Sequence, residues 1–176
     1  MIHLKIYITS SWKNQHAVEM LTELLRKDGH KVQSFVERNL GVGNGSDSHE
    51  AYAPEDLDTW IGTQEAEWSF EHDTKAATES DLVIYISSSG TDAWAEVGAA
   101  WGAGVPIVGL HSKGEQAGLM RRMMVAWYYR VPELIRFVNE FEVEKLKESY
   151  GYGGRSIRNR EVGANDGGGL GDGDDY

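Results

Sequence analysis

The chain contains no cysteine and only three prolines among its 176 residues. Without cysteine it has no disulfides, no thiolate zinc site and no cysteine nucleophile, which fits a reducing compartment. No apolar run approaches the roughly 20 residues that span a bilayer. The first residues, MIHLKIYITSSW, show no basic segment followed by a long apolar one. We therefore expect a cytoplasmic protein with no membrane segment and no signal peptide.

Positive charge is also scarce. The formal net charge is −11, and the last sixteen residues contain five acids but no lysine or arginine. Removing those five charges still leaves −6 on the rest of the chain. A protein that binds a nucleic-acid backbone needs a basic face, so we expect a small-molecule ligand and no nucleic-acid polymer. No cluster of His, Asp and Glu has metal-ligand spacing, and we expect neither a metal nor another cofactor.

Short apolar strands alternate with amphipathic helices along most of the chain. The sequence predicts strands at 4–10, 31–36, 81–87, 105–110 and 127–131, and helices within 11–29 and at about 60–79, 91–103, 113–126 and 133–148. This alternation is typical of a parallel sheet that helices cover on both faces. We therefore predict a three-layer α/β domain of flavodoxin-like or Rossmann-like type, with a parallel five-stranded sheet.

Two segments fall outside this pattern. Residues 39–58, with the acidic stretch 41–58, carry glycines, acids and one proline without periodicity, which predicts a long loop. Residues 151–176 are rich in glycine and aspartate and contain too little apolar surface to fold alone. We assign the α/β domain to residues 1–150 and a flexible tail to residues 151–176.

Small hydroxyl residues and glycines follow the first and third predicted strands. Open parallel sheets bind ligands at the carboxyl ends of their strands, near the point where the strand order reverses. Ser10 and Trp12 follow strand one, and Ser89, Gly90 and Thr91 follow strand three. The exposed N–H groups at the start of the next helix favour an anion or a polar sugar. These residues are therefore candidate substrate contacts.

An acid lies inside the apolar helix predicted at 91–103. Glu96 is about one and a half turns into this helix, and Asp92, four residues earlier, shares its face. Tyr7, in the middle of strand one, is placed to reach a carboxylate across the strand ends. The small residues within 98–103 are expected to let the helix lie close to the sheet. On spacing alone, a solvated acid remains the alternative for Glu96, and a first-turn acid favoured by the helix dipole remains the alternative for Asp92.

Three pieces of the chain, in order, resemble the nucleoside 2-deoxyribosyltransferase family. They are IYITSSW, FEHDTKAATESDLVIYI and SSSGTDAWAEVGAAWGAGVPIVGL. The family includes deoxynucleotide N-glycosidases and is distantly similar to TIR-type NAD hydrolases. The most specific part is GTDAWAEVGAA, a small-residue turn followed by an acid and an apolar–glycine pair. Asp73, about eight residues before strand three, and Tyr7 complete the pattern, which spans about residues 4–140.

The resemblance implies cleavage or transfer of the N-glycosidic bond of a (deoxy)nucleoside or 5′-nucleotide. It implies that Glu96 attacks the anomeric carbon and forms a covalent glycosyl-enzyme, that Tyr7 holds Glu96, and that Asp73 supplies or relays a proton to the base. It also implies that residues 89–92, including Asp92, line the sugar or its 5′ side. Sites of this family are commonly completed by a neighbouring subunit, so we expect a homo-oligomer.

One region departs from the family pattern. Transferases of the family commonly carry an asparagine after strand four that contacts the ribose 5′ hydroxyl, whereas this chain has GEQAGLMRRMMVAW with Arg121 and Arg122. Arginine binds phosphate bidentately, so this pair predicts a 5′-nucleotide substrate; a solvated helix face is the alternative. Trp12 and Trp68 are candidates for stacking on a base, with core packing or a subunit interface as the alternative for each.

Two further functions stay open at this point. A TIR-like NAD glycohydrolase uses the same helix-borne glutamate, and release of nicotinamide from NAD would identify it. A Rossmann-like domain with this serine–glycine turn would alternatively bind a nucleotide as a non-catalytic sensor. The absence of turnover on any nucleotide would then distinguish the sensor from the enzymes.

Overall fold

The computed structural model describes residues 3–37, 61–115 and 118–141. The strands are β1 Lys5–Thr9, β2 Lys31–Ser34, β3 Leu82–Ile86, β4 Ile107–Leu110 and β5 Ala126–Tyr128. The α-helices are α1 Gln15–Lys27, α2 Gln64–Thr78, α3 Thr91–Gly102 and α4 Val131–Asn139, and 3-10 turns cover Trp12–Asn14 and Leu119–Met123. The predicted loop at 39–58, the end of the helix predicted at 133–148 and the tail at 151–176 lie outside the described residues.

The five described strands form one parallel sheet in the order β2-β1-β3-β4-β5. Tyr7 of β1 lies opposite Val83, and Tyr85 of β3 lies opposite Thr9 and Gly109. The chain leaves β1 for β2 on one side and returns to β3 on the other, so the strand order reverses between β1 and β3. The predicted parallel five-stranded α/β sheet is confirmed, and its reversal point lies where the serine-containing loops begin.

The alternation of side chains along the strands divides the core into two layers. On one face, aliphatic residues of the strands such as Ile6 and Ile84 pack under α1 and α4. On the other face, Tyr7, Val83 and Tyr85 pack under α2 and α3. The two central strands are buried on both faces, which explains why they are continuous apolar runs rather than alternating ones.

The helix α1 shows how the sequence pattern fixes a layer. Val18, Leu21 and Leu25 recur at helical spacing and are fully or almost fully buried against the sheet. Burying each of these side chains stabilises the fold by about 1.5–3 kcal/mol. The helix ends before Gly29, which has a φ of +91° that other residues rarely adopt.

The helix α3 approaches the sheet through other residues than expected. Its buried face consists of Ala93, Val97 and Ala100. A Cβ atom at Gly98 or Gly102 would meet nothing within 4 Å, so the expectation that these glycines permit the close packing is wrong. The glycines of α3 face open space, and its close approach follows from the two buried alanines.

The prediction of a helix at 113–126 is also wrong. Gly114 has a φ of +93°, and Gly118 is extended at a φ of −127°, so a continuous helix does not form there. The helical structure in the described part of 113–126 is the 3-10 turn Leu119–Met123. In β4, a Cβ atom at Gly109 would lie 2.4 Å from the ring of Trp127 on β5, so the glycine makes room for this indole.

Candidate active site

A tyrosine–carboxylate pair joins β1 to α3. The Tyr7 hydroxyl donates a hydrogen bond to Oε2 of Glu96 at 3.1 Å. Tyr7 is fully buried in the layer under α3, while Glu96 is half-buried beside the buried Val97. Because Tyr7 stands on a central strand and Glu96 on the helix packed against it, both ends of this contact are held by rigid elements.

The surroundings of Glu96 disfavour its charged form. Burial, together with the charges of Asp73 and Asp92, raises the pKa of Glu96 from its usual 4.5 to about 7. Hydrogen bonds from Thr9 and Tyr7 act in the opposite direction and lower this pKa. The carboxyl group therefore changes its protonation state near neutral pH.

Thr9 lies two residues after Tyr7 on the same face of β1. Its hydroxyl oxygen is completely buried and has no hydrogen-bond partner of ordinary geometry in the described part of the chain. The hydroxyl nevertheless lies close enough to Glu96 to lower the pKa of that carboxyl group. Thr9 thus faces the carboxylate as a second hydroxyl beside Tyr7.

A second acid approaches the same phenol from α2. Asp73 is buried, and its Oδ1 lies 3.3 Å from Nδ1 of His72. Burial, the charges of Glu96 and Asp73, and hydrogen bonds to both raise the pKa of Tyr7 well above its usual value. The Tyr7 hydroxyl therefore lies between two carboxyl groups that come from two different helices.

An aromatic surface adjoins Asp73. The ring of Trp68 stacks on the ring of His72, with 5.4 Å between the centroids and 28° between the planes. Trp68 is 47% exposed, so its indole is accessible to solvent next to the carboxyl cluster.

The loops after β1 and β3 are tied together by Asn14. Its Nδ2 donates to Oγ of Ser10 at 2.9 Å and to the Ser88 carbonyl at 3.0 Å, and Ser10 donates to the Ile86 carbonyl at 2.7 Å. These bonds fix the reversal point of the sheet. Sequence reasoning identified Ser10 but missed Asn14, whose signal was a side-chain amide in the turn that follows a buried strand.

A second tyrosine–carboxylate pair lies on β3. The Tyr85 hydroxyl donates to Oε2 of Glu115 at 3.0 Å and accepts from Oγ of Ser89 at 2.7 Å. Burial raises the pKa of Tyr85 to about 12; the bond from Ser89 lowers this pKa, and the charge of Glu115 raises it. Sequence reasoning missed Glu115, although it follows β4 at the same edge of the sheet.

Several predicted site residues lie apart from these pairs. Trp12 packs edge-on against Phe35 at 4.9 Å in the layer under α1, and no described contact joins it to Glu96. The guanidinium carbon of Arg121 lies 4.1 Å from the centre of the Trp127 ring. The remaining predicted residues, Gly90, Thr91, Asp92 and Arg122, are exposed. Of these, Asp92 is close enough to Glu96 to raise its pKa.

Within 3–37, 61–115 and 118–141, no group of three or more His, Asp and Glu residues is arranged to hold a metal ion. None of the helices described there combines the length and apolar character needed to cross a bilayer.

Comparison with known proteins places the fold. No protein-family model and no curated protein matches the sequence. The structure is similar to the 2-deoxyribosyltransferase of Bacillus psychrosaccharolyticus, with a TM-score of 0.59 and 20% identity over 80% of this chain and 94% of that one. It is also similar to a conserved protein from Enterococcus faecalis V583 (TM-score 0.51, 15% identity, 82% and 99% coverage). A weaker similarity links it to the CMP N-glycosidase BcmB of Clostridium botulinum (TM-score 0.47, 15% identity, 76% and 97% coverage).

These similarities agree with the resemblance drawn from the sequence motifs. The chain covers 94% of the 2-deoxyribosyltransferase and 99% of the Enterococcus faecalis protein. The protein therefore has the α/β fold of a nucleoside 2-deoxyribosyltransferase.

Proposed function

We propose that this protein cleaves or transfers the N-glycosidic bond of a (deoxy)nucleoside or 5′-nucleotide, with Glu96 as the nucleophile. The observation that carries the proposal is the half-buried Glu96 carboxyl group, whose Oε2 accepts from Tyr7 at 3.1 Å while Asp73 raises the pKa of the same phenol. The shared fold with a 2-deoxyribosyltransferase supports it. Because one fold hosts many activities, the site and not the fold is the main argument.

In the proposed first step, Oε1 of Glu96, the oxygen to which Tyr7 does not donate, attacks the anomeric carbon C1′. The C1′–N bond breaks, its electron pair leaves with the base, and Asp73 supplies or relays the proton that the base takes up. A carboxylate suits this step because the transition state resembles an oxocarbenium ion, which a nearby anion stabilises. The product is a glycosyl ester of Glu96.

In the proposed second step, an acceptor attacks C1′ of the ester. With water, the oxygen bonds to C1′, its proton passes to Asp73, and the C1′–Oε1 bond breaks to regenerate the Glu96 carboxylate. With a second base, a ring nitrogen bonds to C1′ instead, its proton passes to Asp73, and the C1′–Oε1 bond breaks, so the outcome is transfer. The acceptor alone therefore decides between hydrolysis and transfer.

The remaining contacts are proposed from exposure and position. The accessible indole of Trp68 is a stacking surface for the base beside Asp73. Gly90, Thr91 and Asp92 are exposed at the start of α3, where they line the proposed sugar site. Tyr7 is a positioning residue, because its hydrogen bond fixes one oxygen of Glu96 and leaves the other for attack.

We also propose that the protein acts as a homo-oligomer. Leu119 and Met120, in the turn before β5, are 74% and 57% exposed, and such apolar side chains are candidates for a subunit contact. Sedimentation velocity should show a species heavier than a monomer, and Met120→Glu should reduce its fraction. A purely monomeric wild-type protein contradicts this part of the proposal.

The test of the activity is a substrate panel. The purified protein is mixed with nucleosides, their 5′-monophosphates and NAD, and free base is detected by chromatography. We expect base from nucleosides or monophosphates. Nicotinamide from NAD alone would favour a NAD glycohydrolase, and no release from any compound would overturn the proposal.

The covalent step has its own test. A 2′-fluoro-arabinosyl nucleoside should slow the second step, because fluorine destabilises the oxocarbenium-like transition state. Mass spectrometry should then find the sugar on the peptide that contains Glu96, and no adduct in Glu96→Gln. An adduct on another residue would remove Glu96 as the nucleophile.

A further inference from the structure

The base that leaves in the proposed first step takes its proton through Asp73, so this carboxyl group needs a proton source. Asp73 is buried on α2, near Tyr7 and Glu96. Glu96 must be ionised to attack, so it cannot be that source. Tyr7 holds its own proton, because burial and the two carboxyl groups raise the pKa of its phenol well above the usual value. The source therefore lies elsewhere around Asp73.

His72 contacts the same carboxyl group and also reaches solvent. Its Nδ1 lies 3.3 Å from Oδ1 of Asp73, and its side chain is 30% exposed, against 13% for that of Asp73. A carboxylate only accepts hydrogen bonds, so Nδ1 donates while Asp73 is ionised and accepts when Asp73 carries the proton. One contact thus serves both protonation states of the pair.

The ring of His72 is held in place by a residue outside the carboxyl cluster. Trp68 lies four residues earlier on the same face of α2. The two rings stack with 5.4 Å between the centroids and 28° between the planes. This contact restricts rotation of the imidazole, so Nδ1 stays turned towards Asp73.

Imidazole is suited to the storage of a proton near neutral pH. It is the side-chain group that ordinarily gains and loses its proton in that range, whereas the carboxyl group of aspartate ordinarily does so only in acid. The partial exposure of the His72 ring leaves its charged form in contact with water. The pair therefore joins a solvated proton store to a buried carboxyl group.

We propose that His72 stores the proton that Asp73 passes to the leaving base, and that it takes a proton back in the second step. His72 does not touch the substrate in this role and acts through Asp73. The inference rests on the proposed function, because it assigns a proton source to that same reaction.

The protons balance over the two steps. In the first step, the base takes a proton from Asp73 while the Nδ1 proton of the His72 imidazolium moves to Oδ1 of Asp73, which leaves the imidazole neutral. In the second step, the proton of the attacking water or base passes to Asp73 and from there to Nδ1, which restores the imidazolium. The cycle therefore ends in the protonation state in which it began.

The test compares two leaving groups on one sugar. kcat/KM is measured for the nucleoside or nucleotide that the wild type cleaves fastest and for the 4-nitrophenyl glycoside of the same sugar, because 4-nitrophenol leaves as a stable anion and takes up no proton. His72→Gln keeps a hydrogen-bond donor for Asp73 but cannot store a proton. Its kcat/KM should fall about tenfold or more for the natural base and change little for 4-nitrophenol.

A matched control is available on the other side of the sheet. Nδ1 of His16 on α1 also lies 3.3 Å from a carboxylate oxygen, Oε2 of Glu19, and the His16 side chain is 92% exposed. His16→Gln should therefore keep the wild-type rates on both compounds. His72→Phe keeps an aromatic ring against Trp68 without a nitrogen and should behave like His72→Gln, and circular dichroism checks that each variant is folded.

A double variant gives a second measure on the natural substrate itself. In an Asp73→Asn background, His72→Gln should cost little more, because the relay has already lost the member through which His72 acts. Losses that multiply in the double variant would overturn the inference, and so would an equal loss on both leaving groups. Unchanged rates in His72→Gln, with base release by the wild type, would overturn the role of His72 alone. No base release by the wild type from any compound of the panel would overturn the proposed function and this role with it.

Discussion

The molecule contains the same pair of side chains twice, in different surroundings. Tyr7 and Tyr85 are both fully buried on the same face of neighbouring strands, and each donates to Oε2 of a glutamate, at 3.1 Å and 3.0 Å. Glu96 stands on a helix, with Asp73 and Asp92 close enough to raise its pKa. Glu115 stands in the loop after β4, where its tyrosine also bonds a serine.

The comparison shows that a tyrosine–glutamate contact does not by itself define a nucleophile. Burial and neighbouring acids bring the pKa of Glu96 to about 7. Tyr7, its partner, lies between two carboxyl groups, those of Glu96 and Asp73. Strongly perturbed acids of this kind are enriched at catalytic sites. The phenol of the pair on β3 has one carboxylate, Glu115, and one serine hydroxyl, Ser89, around it. The two pairs should therefore respond differently to the same substitutions.

The largest difference is expected in catalysis. Glu96→Gln keeps the shape of the side chain but removes the nucleophile, so kcat/KM for base release should fall by about 10³-fold or more. Glu115→Gln should lose less than about tenfold, because Glu115 takes no part in the proposed covalent step. Initial rates with both variants check this, and a Glu96→Gln enzyme that retains a tenth of the activity would contradict it.

The next difference is in stability. The folded state raises the pKa of Glu96 from 4.5 to about 7, so its stabilising contribution is fully present below pH 4.5 and is lost as the pH rises through 7. Glutamine does not ionise, so Glu96→Gln avoids the cost of a buried charge above pH 7. The free energy of unfolding at pH 8 should therefore rise by about 1–3 kcal/mol, with little change at pH 4. Urea unfolding at both pH values measures it. An equal effect at pH 4 and pH 8 would show that ionisation is not the cause.

The two tyrosines should separate in their effect on the pH profile. The hydrogen bond from Tyr7 lowers the pKa of Glu96, so Tyr7→Phe should move the acidic limb of kcat/KM to higher pH and reduce the maximum about 10–100-fold. Tyr85→Phe removes a bond to Glu115 and should leave that limb in place. Profiles between pH 5 and 9 test this, and a matching shift in both variants would refute the distinction.

The sequence was sufficient for the fold because its strands are continuous apolar runs. The alternation with helices predicted the parallel sheet, and the two errors have local causes. Gly114 and Gly118 interrupt the helix predicted at 113–126 through their backbone angles. Gly98 and Gly102 were expected to face the sheet, but helical phase turns them to open space.

The site was predictable where regular elements carry it. Tyr7 and Glu96 meet because the strand and helix that bear them pack directly together. Glu115 follows a turn at Gly114, so its position depends on the chain path after β4, which has no periodicity. Trp12 faces Phe35 because the turn after β1 leads the chain towards α1, a direction that spacing alone does not give.

The smallest effect is expected from Thr9, whose hydroxyl lies beside the Tyr7–Glu96 pair. Thr9 is buried beside Glu96 and lowers its pKa, yet it has no partner of ordinary geometry in the described part of the chain. Thr9→Val keeps the shape and removes the hydroxyl, so the acidic limb should move up by a few tenths of a pH unit, and kcat/KM at pH 6.5 should fall about two- to fivefold. Thr9→Ser keeps the hydroxyl and should therefore keep the wild-type pH profile.

Thr22 on α1 provides the matched control, since its hydroxyl is also buried without a partner among the described residues. Removing an unpaired buried hydroxyl should not destabilise the fold, so Thr9→Val and Thr22→Val should both unfold at or above the wild-type temperature. Only Thr9→Val should shift the pH profile, because Thr22 lies on the buried face of α1, on the other side of the sheet from Glu96. If both variants behave alike, Thr9 is a packing residue, and the low-pH limit of the reaction is set by the burial of Glu96, by Tyr7 and by the two aspartates.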